Sequence, residues 1–250
     1  MQMSRLNAIN AEKESKERHG DVKECIQLVR ALKDCGESKD LVKGSKIHVD
    51  IVNRGLLETI SHVGGILVSM YANCGALDKS REVLTGLNLR NVATWNALIS
   101  GYVKQKQGKE ALNCFEYMRS EGISPNSITF VYILKACGSV RDVVKGDQIY
   151  DEIVEKGFLG KDIILGNALV DMYAKCGELK KAEKMLEKLV IRNVVSWNTI
   201  ITGYTQQGQG SEALDCFERM QREGILPNSI TFICISKACA SIKAIEKGKK

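Results

Sequence analysis

Apolar residues along 194–228 recur with the period of a helix: Trp197, Ile200, Ile201 and Tyr204 at i, i+3, i+4 and i+7, then Ala213, Cys216, Phe217 and Met220 at the same spacing. Gly208 and Gly210 lie between the two stripes and mark a tight turn. The pattern predicts two amphipathic helices joined as a hairpin. Ser196 and Ser211 stand where N-cap hydroxyls would accept from first-turn amides. Gly224 and Pro227 stop the second helix, because Gly tolerates a left-handed C-cap and Pro cannot continue the ladder. Asn198, Thr202 and Thr205 make a polar row beside the first apolar stripe, at i, i+4 and i+7. A hairpin of this size cannot bury its own apolar faces and needs neighbours.

The chain supplies them by repetition. Shifted by 102 residues, 25–148 align with 127–250 without a gap. VATWNALISGY at 92–102 matches VVSWNTIITGY at 194–204, EALNCFEYM at 110–118 matches EALDCFERM, and ISPNSITF at 123–130 matches ILPNSITF. MYANCGALDKS at 70–80 matches MYAKCGELKKA at 172–182. Marker residues one turn into each first helix, Val29, Gly65, Asn96, Val131, Asn167, Asn198 and Ile233, step by 36, 31, 35, 36, 31 and 35. Equal steps of about 34 would mark tetratricopeptide repeats, so the unequal steps reject that repeat type.

Composition narrows the class. Two prolines (Pro125 and Pro227) and few β-branched or aromatic runs favour helices with short turns, hence an all-α protein. A hydrophobic share of 44% with 26% charged residues excludes disorder and little else. The net charge of +6 suits an anionic partner, although a charge of that size also serves solubility alone. No stretch reaches the roughly 18 apolar residues of a membrane span, so no membrane partner is expected. Residues 1–24 have no signal-peptide core, and Glu12, Glu14 and Glu17 argue against an acid-poor transit peptide.

Of nine cysteines, Cys35, Cys137 and Cys239 are related by the 102-residue shift, as are Cys74 with Cys176 and Cys114 with Cys216. Cysteines that recur at one place in a repeat read as small buried hydrophobes. There is no CxxC pair and no His-x-Glu, so no zinc site or zinc-deaminase centre is encoded and no metal or cofactor is expected. No nucleophile-base set or phosphate loop is present either. The chain is expected not to be an enzyme and to take no small-molecule substrate.

The 35-residue units ending in Pro-Asn, the 36-residue unit built on ITFVYILKACGSVRDVVKGDQIYDEIVEKGF and the 31-residue unit built on LGNALVDMYAKCGELKKAEKMLEKL resemble the P, L and S motifs of plant pentatricopeptide repeat proteins of the PLS class. The resemblance covers 25–250 and divides it into L 25–60, S 61–91, P 92–126, L 127–162, S 163–193, P 194–228 and a truncated L 229–250. Residues 1–24 match no motif and stand as a poorly defined arm. The array stops inside a motif, with Lys250 where a second helix should begin, which suggests a fragment of a longer repeat array. The resemblance implies a right-handed α-solenoid, a superhelix of stacked helix-turn-helix repeats whose first helices line the inner surface.

It also implies where RNA would be read. In this family the fifth and last residues of a motif together recognise one base of single-stranded RNA, and the pairs carried over are Asn96 with Asn126, Asn167 with Asn193 and Asn198 with Asn228. An amide offers a donor and an acceptor, which suits a pyrimidine edge. Each Asn taken alone is equally consistent with a helix-start or turn residue. The second residue of each motif sandwiches bases, which falls on Ala93, Ile128, Ile164, Val195 and Ile230; Ile26 also matches, and His62 departs. Aliphatic residues there are equally consistent with packing between repeats. Gly65 leaves the unit at 61–91 with Asn91 alone, and Val29, Val131 and Ile233 make the L units spacers. Lys104 and Lys175, at the thirteenth position, suit a phosphate contact or a helix C-terminal cation.

The implied function is sequence-preferring binding of single-stranded RNA with a weak footprint of 5′-NNYNYY-3′, in organelle RNA editing or other RNA processing. A C-terminal extension or a separate deaminase-bearing protein would supply the chemistry, in mitochondria or chloroplasts. A helical scaffold that takes a protein segment, as tetratricopeptide arrays do, is the competing expectation.

Overall fold

A computed structural model describes residues 26–59, 63–160 and 162–248, and among these every regular element is a helix. The arm at 1–24, His62 and Lys250 lie outside the described residues. Two compact units divide the chain, 1–101 and 102–250, with the boundary inside one helix.

In the first unit, α1 (26–38) and α2 (Leu41–Asn53) are followed by the short α3 (Leu56–Thr59), then α4 (Val63–Asn73), α5 (Leu77–Gly86) and the start of α6 (Val92–Lys104). Helix α2 packs on α4, and α4 on α5. Leu32, Cys35, Ile51, Val63, Leu67, Met70 and Tyr71 form the core.

The second unit continues with α7 (Gly108–Ser120), α8 (Ser127–Val140), α9 (Val143–Glu155), α10 (Ile163–Lys175), α11 (Leu179–Lys188), α12 (Val194–Gln206), α13 (Gly210–Arg222) and α14 (Ser229–Gly248). First helices pack in succession, α8 on α10, α10 on α12 and α12 on α14. Each second helix, α9, α11 or α13, lies against the first helix of its own hairpin and that of the next. This two-layer stack of hairpins is an all-α solenoid. Each apolar stripe is buried by the neighbouring hairpin. Trp197, Ile200, Ile201 and Tyr204 are at most 1% exposed, as the helical period requires.

The turns follow a common rule. At the end of α10 the Gly177 amide donates to the Ala174 carbonyl and the Glu178 amide to that of Tyr173, a Schellman closure that needs the left-handed φ of +88° which Gly177 adopts. Arg141 takes the corresponding conformation after α8, and Asp142 then caps α9 by accepting from the Lys145 amide at 2.9 Å. Shifted by 102 residues, these two positions are Lys243 and Ala244. Ala cannot cap a new helix. Helix α14 accordingly runs unbroken from Ser229 to Gly248, where the sequence pattern predicts a turn.

Helix α14 keeps an apolar face in solvent. Phe130 on α8 is fully buried, whereas its equivalent Phe232 is 56% exposed. The cysteines behave in parallel. Burial pushes the Cys137 and Cys216 thiols up to about 12, while Cys239 is exposed. Because the thiolate is the reactive species, thiol labelling at pH 8 is expected to modify Cys239 first and to reach Cys137 and Cys216 only through opening of the fold. Peptide mapping of the labelled chain by mass spectrometry checks this, and simultaneous labelling of all three contradicts the burial described.

Candidate nucleic-acid interface

The sequence Asn-x-x-Thr/Ser recurs at Asn91 with Thr94, Asn126 with Thr129, Asn193 with Ser196 and Asn228 with Thr231. In each case the Asn is the N-cap of the helix that follows. The Asn193 side-chain Oδ1 accepts from the Val195 and Ser196 backbone amides at 3.0 and 3.1 Å, and the Asn193 backbone N–H donates back to Ser196 Oγ at 3.2 Å. Asn126 and Thr129 form the same reciprocal box, as do Asn91 with Thr94 and Asn228 with Thr231. Ser196 is therefore not the N-cap of α12 but its buried third residue. Ser211 lies inside α13, whose cap Gln209 makes no side-chain capping bond. An amide three residues upstream reaches two first-turn donors at once, which the Ser196 hydroxyl, already inside the helix, cannot.

These caps connect directly to the fifth-position residues. Thr231 Oγ1 donates its single proton to Asn198 Oδ1 at 2.6 Å, and Asn198 Nδ2 donates to Asn228 Oδ1 at 3.0 Å. Asn198, placed by periodicity in a polar row, is only 7% exposed, held between its own helix and the start of the next. The backbone amides that point at Asn228 Oδ1 and Asn193 Oδ1 fix the orientation of both side chains. Their Nδ2 groups are thereby turned outward, with no hydrogen-bond partner among the described residues. Ser196 Oγ likewise donates to Asn167 Oδ1 at 2.6 Å and bridges it to Asn193. Asn96 is buried on α6 and Asn126 caps α8; they belong to different compact units.

The structure thus brings Asn198 against Asn228, and Asn167 to Asn193 through Ser196. Ile128, Ile164, Val195 and Ile230 are all more than half exposed, and Ala93 is exposed as well, so these side chains are not consumed by packing between repeats. Lys175 is exposed but pairs with Asp171 one turn earlier at 2.7 Å; Lys104 is exposed near the end of α6. At Gly65, where the second S unit and both P units carry Asn, there is a cavity of about 460 Å³ beside Asn91, Ala93 and Thr94. Val131 is buried, and Ile233 projects from α14. No group of three or more His, Cys, Asp or Glu among the described residues could hold a metal ion, and no described helix is long and apolar enough to cross a membrane. The sequence pattern missed Thr231 and Ser196 as organisers, although Asn-x-x-Thr/Ser ahead of an apolar run was a readable capping signature.

A row of amide pairs, each pinned by the cap of the next helix, is a repeat-level device, and comparison with known proteins finds the same repeat. The PPR repeat family model matches residues 90–139 and 192–241, and a second PPR repeat model matches 167–194. The chain belongs to the pentatricopeptide repeat family. A chloroplastic pentatricopeptide repeat-containing protein of Arabidopsis thaliana is 37% identical over 218 residues, covering 87% of this chain and 35% of that protein. A mitochondrial one from the same plant is 36% identical, covering 82% of this chain and 25% of the relative. The chain therefore spans about a third or less of such relatives' length. Among solved structures, the pentatricopeptide repeat protein PPR10 in complex with an 18-nt psaJ RNA element superimposes with a TM-score of 0.66 at 19% identity, over 87% of this chain and 32% of that one. The PPR domain of Arabidopsis thaliana protein-only RNase P 1, in complex with tRNA, gives 0.54 at 12% identity, over 69% of this chain and 95% of that domain. At these identities the likeness carries the fold.

Proposed function

We propose that this pentatricopeptide repeat segment binds single-stranded RNA along the face formed by its first helices, one unit to a base, as a specificity factor without bond-breaking chemistry of its own. The observation that carries this is the pinned pair Asn198 and Asn228. Cap and hydroxyl engage the oxygens of both amides and leave the Asn228 N–H donors outward, the complement of the O2 acceptor that both pyrimidines carry and of the N3 acceptor of cytosine. Asn167 with Asn193 repeats the arrangement through Ser196. Exposed aliphatic residues one position into each first helix, Val195 and Ile230 flanking this pair, supply flat apolar surfaces against which a base can lie.

The unequal L, S and P units support assignment to the PLS class, with the footprint 5′-NNYNYY-3′. Relatives named chloroplastic or mitochondrial support an organellar location. There the segment would serve RNA editing or other RNA processing, in company with a deaminase-bearing protein. Salt titration with a random single-stranded RNA pool tests the core of the proposal. Two phosphate contacts, at Lys104 and Lys175, give a slope of about −1.4 in log affinity against log salt, or about sevenfold between roughly 50 and 200 mM. Pool selection is expected to enrich pyrimidines at the third, fifth and sixth positions. Salt-independent or base-indifferent binding would favour a protein-binding scaffold instead.

A further inference from the structure

In the first unit a cavity of about 760 Å³ opens between α2, α4 and α5, lined by Ser45, His48, Tyr71, Lys79, Glu82 and Leu87 among others. Its size falls in the range of ligand sites. The 102-residue repeat provides an internal reference, because the same backbone is built a second time by α9, α10 and α11. There the chain's own side chains pair with one another at the equivalent positions. The Tyr173 hydroxyl donates to Asp147 Oδ1 at 2.8 Å and Lys181 Nζ donates to Asp147 Oδ2 at 2.8 Å. Lys188 Nζ donates to the Tyr150 hydroxyl at 3.0 Å and lies 5.5 Å from the centre of its ring.

The first copy keeps half of this socket. Tyr71 and Lys79 correspond to Tyr173 and Lys181, and Lys79 Nζ sits 5.9 Å from the Tyr71 ring centre, as Lys181 Nζ sits 5.7 Å from that of Tyr173. The pairing residues are gone: Ser45 stands for Asp147, His48 for Tyr150 and Gly86 for Lys188. Lys79 has no carboxylate within ion-pair distance among the described residues. The second copy also shows which ion the socket prefers. Burial alone would raise the Asp147 carboxyl, yet the bonds from Lys181 and Tyr173 overcome it and hold its pKa below the usual value.

We propose that this cavity takes an acidic side chain from a second polypeptide, an Asp or Glu carboxylate seated between the Tyr71 hydroxyl and the Lys79 ammonium where Asp147 sits in the other copy. His48 Nδ1 lies 2.9 Å from the Tyr71 hydroxyl. In the tautomer with the proton on Nδ1, His48 donates to the Tyr71 oxygen, which frees the Tyr71 O–H for the incoming carboxylate. Glu82 on the same wall opposes a multiply charged anion such as a phosphate, while half-buried Val83 and Leu87 and exposed Val49 offer apolar surface to residues flanking the acid. The occupant is therefore an acidic residue between apolar ones.

The test uses the full chain and fluorescent capped peptides that differ only at their centre, Leu-Leu-Glu-Leu-Leu against the Gln and Lys versions. The Glu peptide is expected to bind about tenfold or more tightly than the Gln peptide, the scale of one charge-assisted hydrogen bond. Lys79→Gln should erase that preference and Lys79→Arg should retain it. Ser45→Asp, which returns the internal carboxylate of the second copy, should block the Glu peptide while leaving the melting temperature unchanged or higher. Equal binding of Glu and Gln peptides, failure of the parent to bind either, or a Ser45→Asp chain that binds as the parent does, overturns the proposal. Single-stranded RNA is titrated against the same variants. Loss of RNA affinity in Lys79→Gln with no effect on the peptides would assign the site to phosphate and equally overturn it.

Discussion

Replacing Trp197 with alanine is expected to cost about 3–5 kcal/mol, the range for deleting a fully buried large aromatic. Trp197 is 1% exposed on α12, which packs against α10, α11, α13 and α14. Its indole Nε1 donates to Glu223 Oε2 at 3.1 Å, and the Arg219 guanidinium lies 5.5 Å from its ring centre. Glu223 remains satisfied after the substitution, because Arg192 also pairs with it at 2.9 Å. The loss is thus a cavity and a missing cation–π contact, with no stranded charge. In a stack held by nearest-neighbour interfaces the damage stays local, so hydrogen-exchange protection should fall most in α12 and α13 and least in α8 and α9. Ile164→Ala, at a site 64% exposed, is the control and should change stability by less than about 0.5 kcal/mol. Urea unfolding of both variants decides the matter; a cost near 1 kcal/mol for Trp197→Ala would mean that the hairpin is not packed as described.

The second large effect is expected on RNA recognition. Asn198→Ala removes both amide atoms, leaves the Thr231 hydroxyl with Asn228 Oδ1 at 3.2 Å in place of its 2.6 Å acceptor, and releases Asn228 from its 3.0 Å donor. Base discrimination at that one position should fall by about 1–3 kcal/mol, and stability by about 0.5–1.5 kcal/mol for each of the two hydrogen bonds lost with Asn198. Thr231→Val separates the two. It removes the buried hydroxyl that positions Asn198 and keeps every outward amide, so it should lower stability while base preference at the position weakens only in part. Lys104→Ala, in contrast, should weaken all sequences alike. Equal base selectivity in the parent and Asn198→Ala would detach this pair from recognition.

The hairpins were legible because burial needs one face per helix, and that leaves a 3.6-residue period: the Trp197, Ile200, Ile201 and Tyr204 stripe is buried along its whole length. The 102-residue self-similarity made the stack legible in turn, since no single hairpin covers its own face. The hydrogen bonds were not. Placing Ser196 at the cap followed from residue type, whereas the structure uses Asn193 three residues earlier and turns Ser196 inward. That choice depends on which oxygen reaches two amides at once, a distance that composition does not encode. The course of α14 was hidden for a related reason. The break between α8 and α9 rests on one left-handed residue and one Asp; Lys39 takes the first role after α1, so it is the missing Asp, Ala244 in its place, that differs where α14 continues.

The Asn caps bear on how such an array could change its target. Asn228 holds the start of α14 through Thr231 and, in the same atom, accepts from Asn198. A residue at this position answers to two demands, so its alphabet is confined to side chains that can begin a helix: Asn, Asp, Ser or Thr. Rewriting the outward preference of one unit therefore perturbs the folding of the next. Variation in specificity is expected to concentrate at the fifth position, where Gly65, Asn198 and Val131 already differ while the caps that follow them, Asn91, Asn228 and Asp162, remain Asn or Asp.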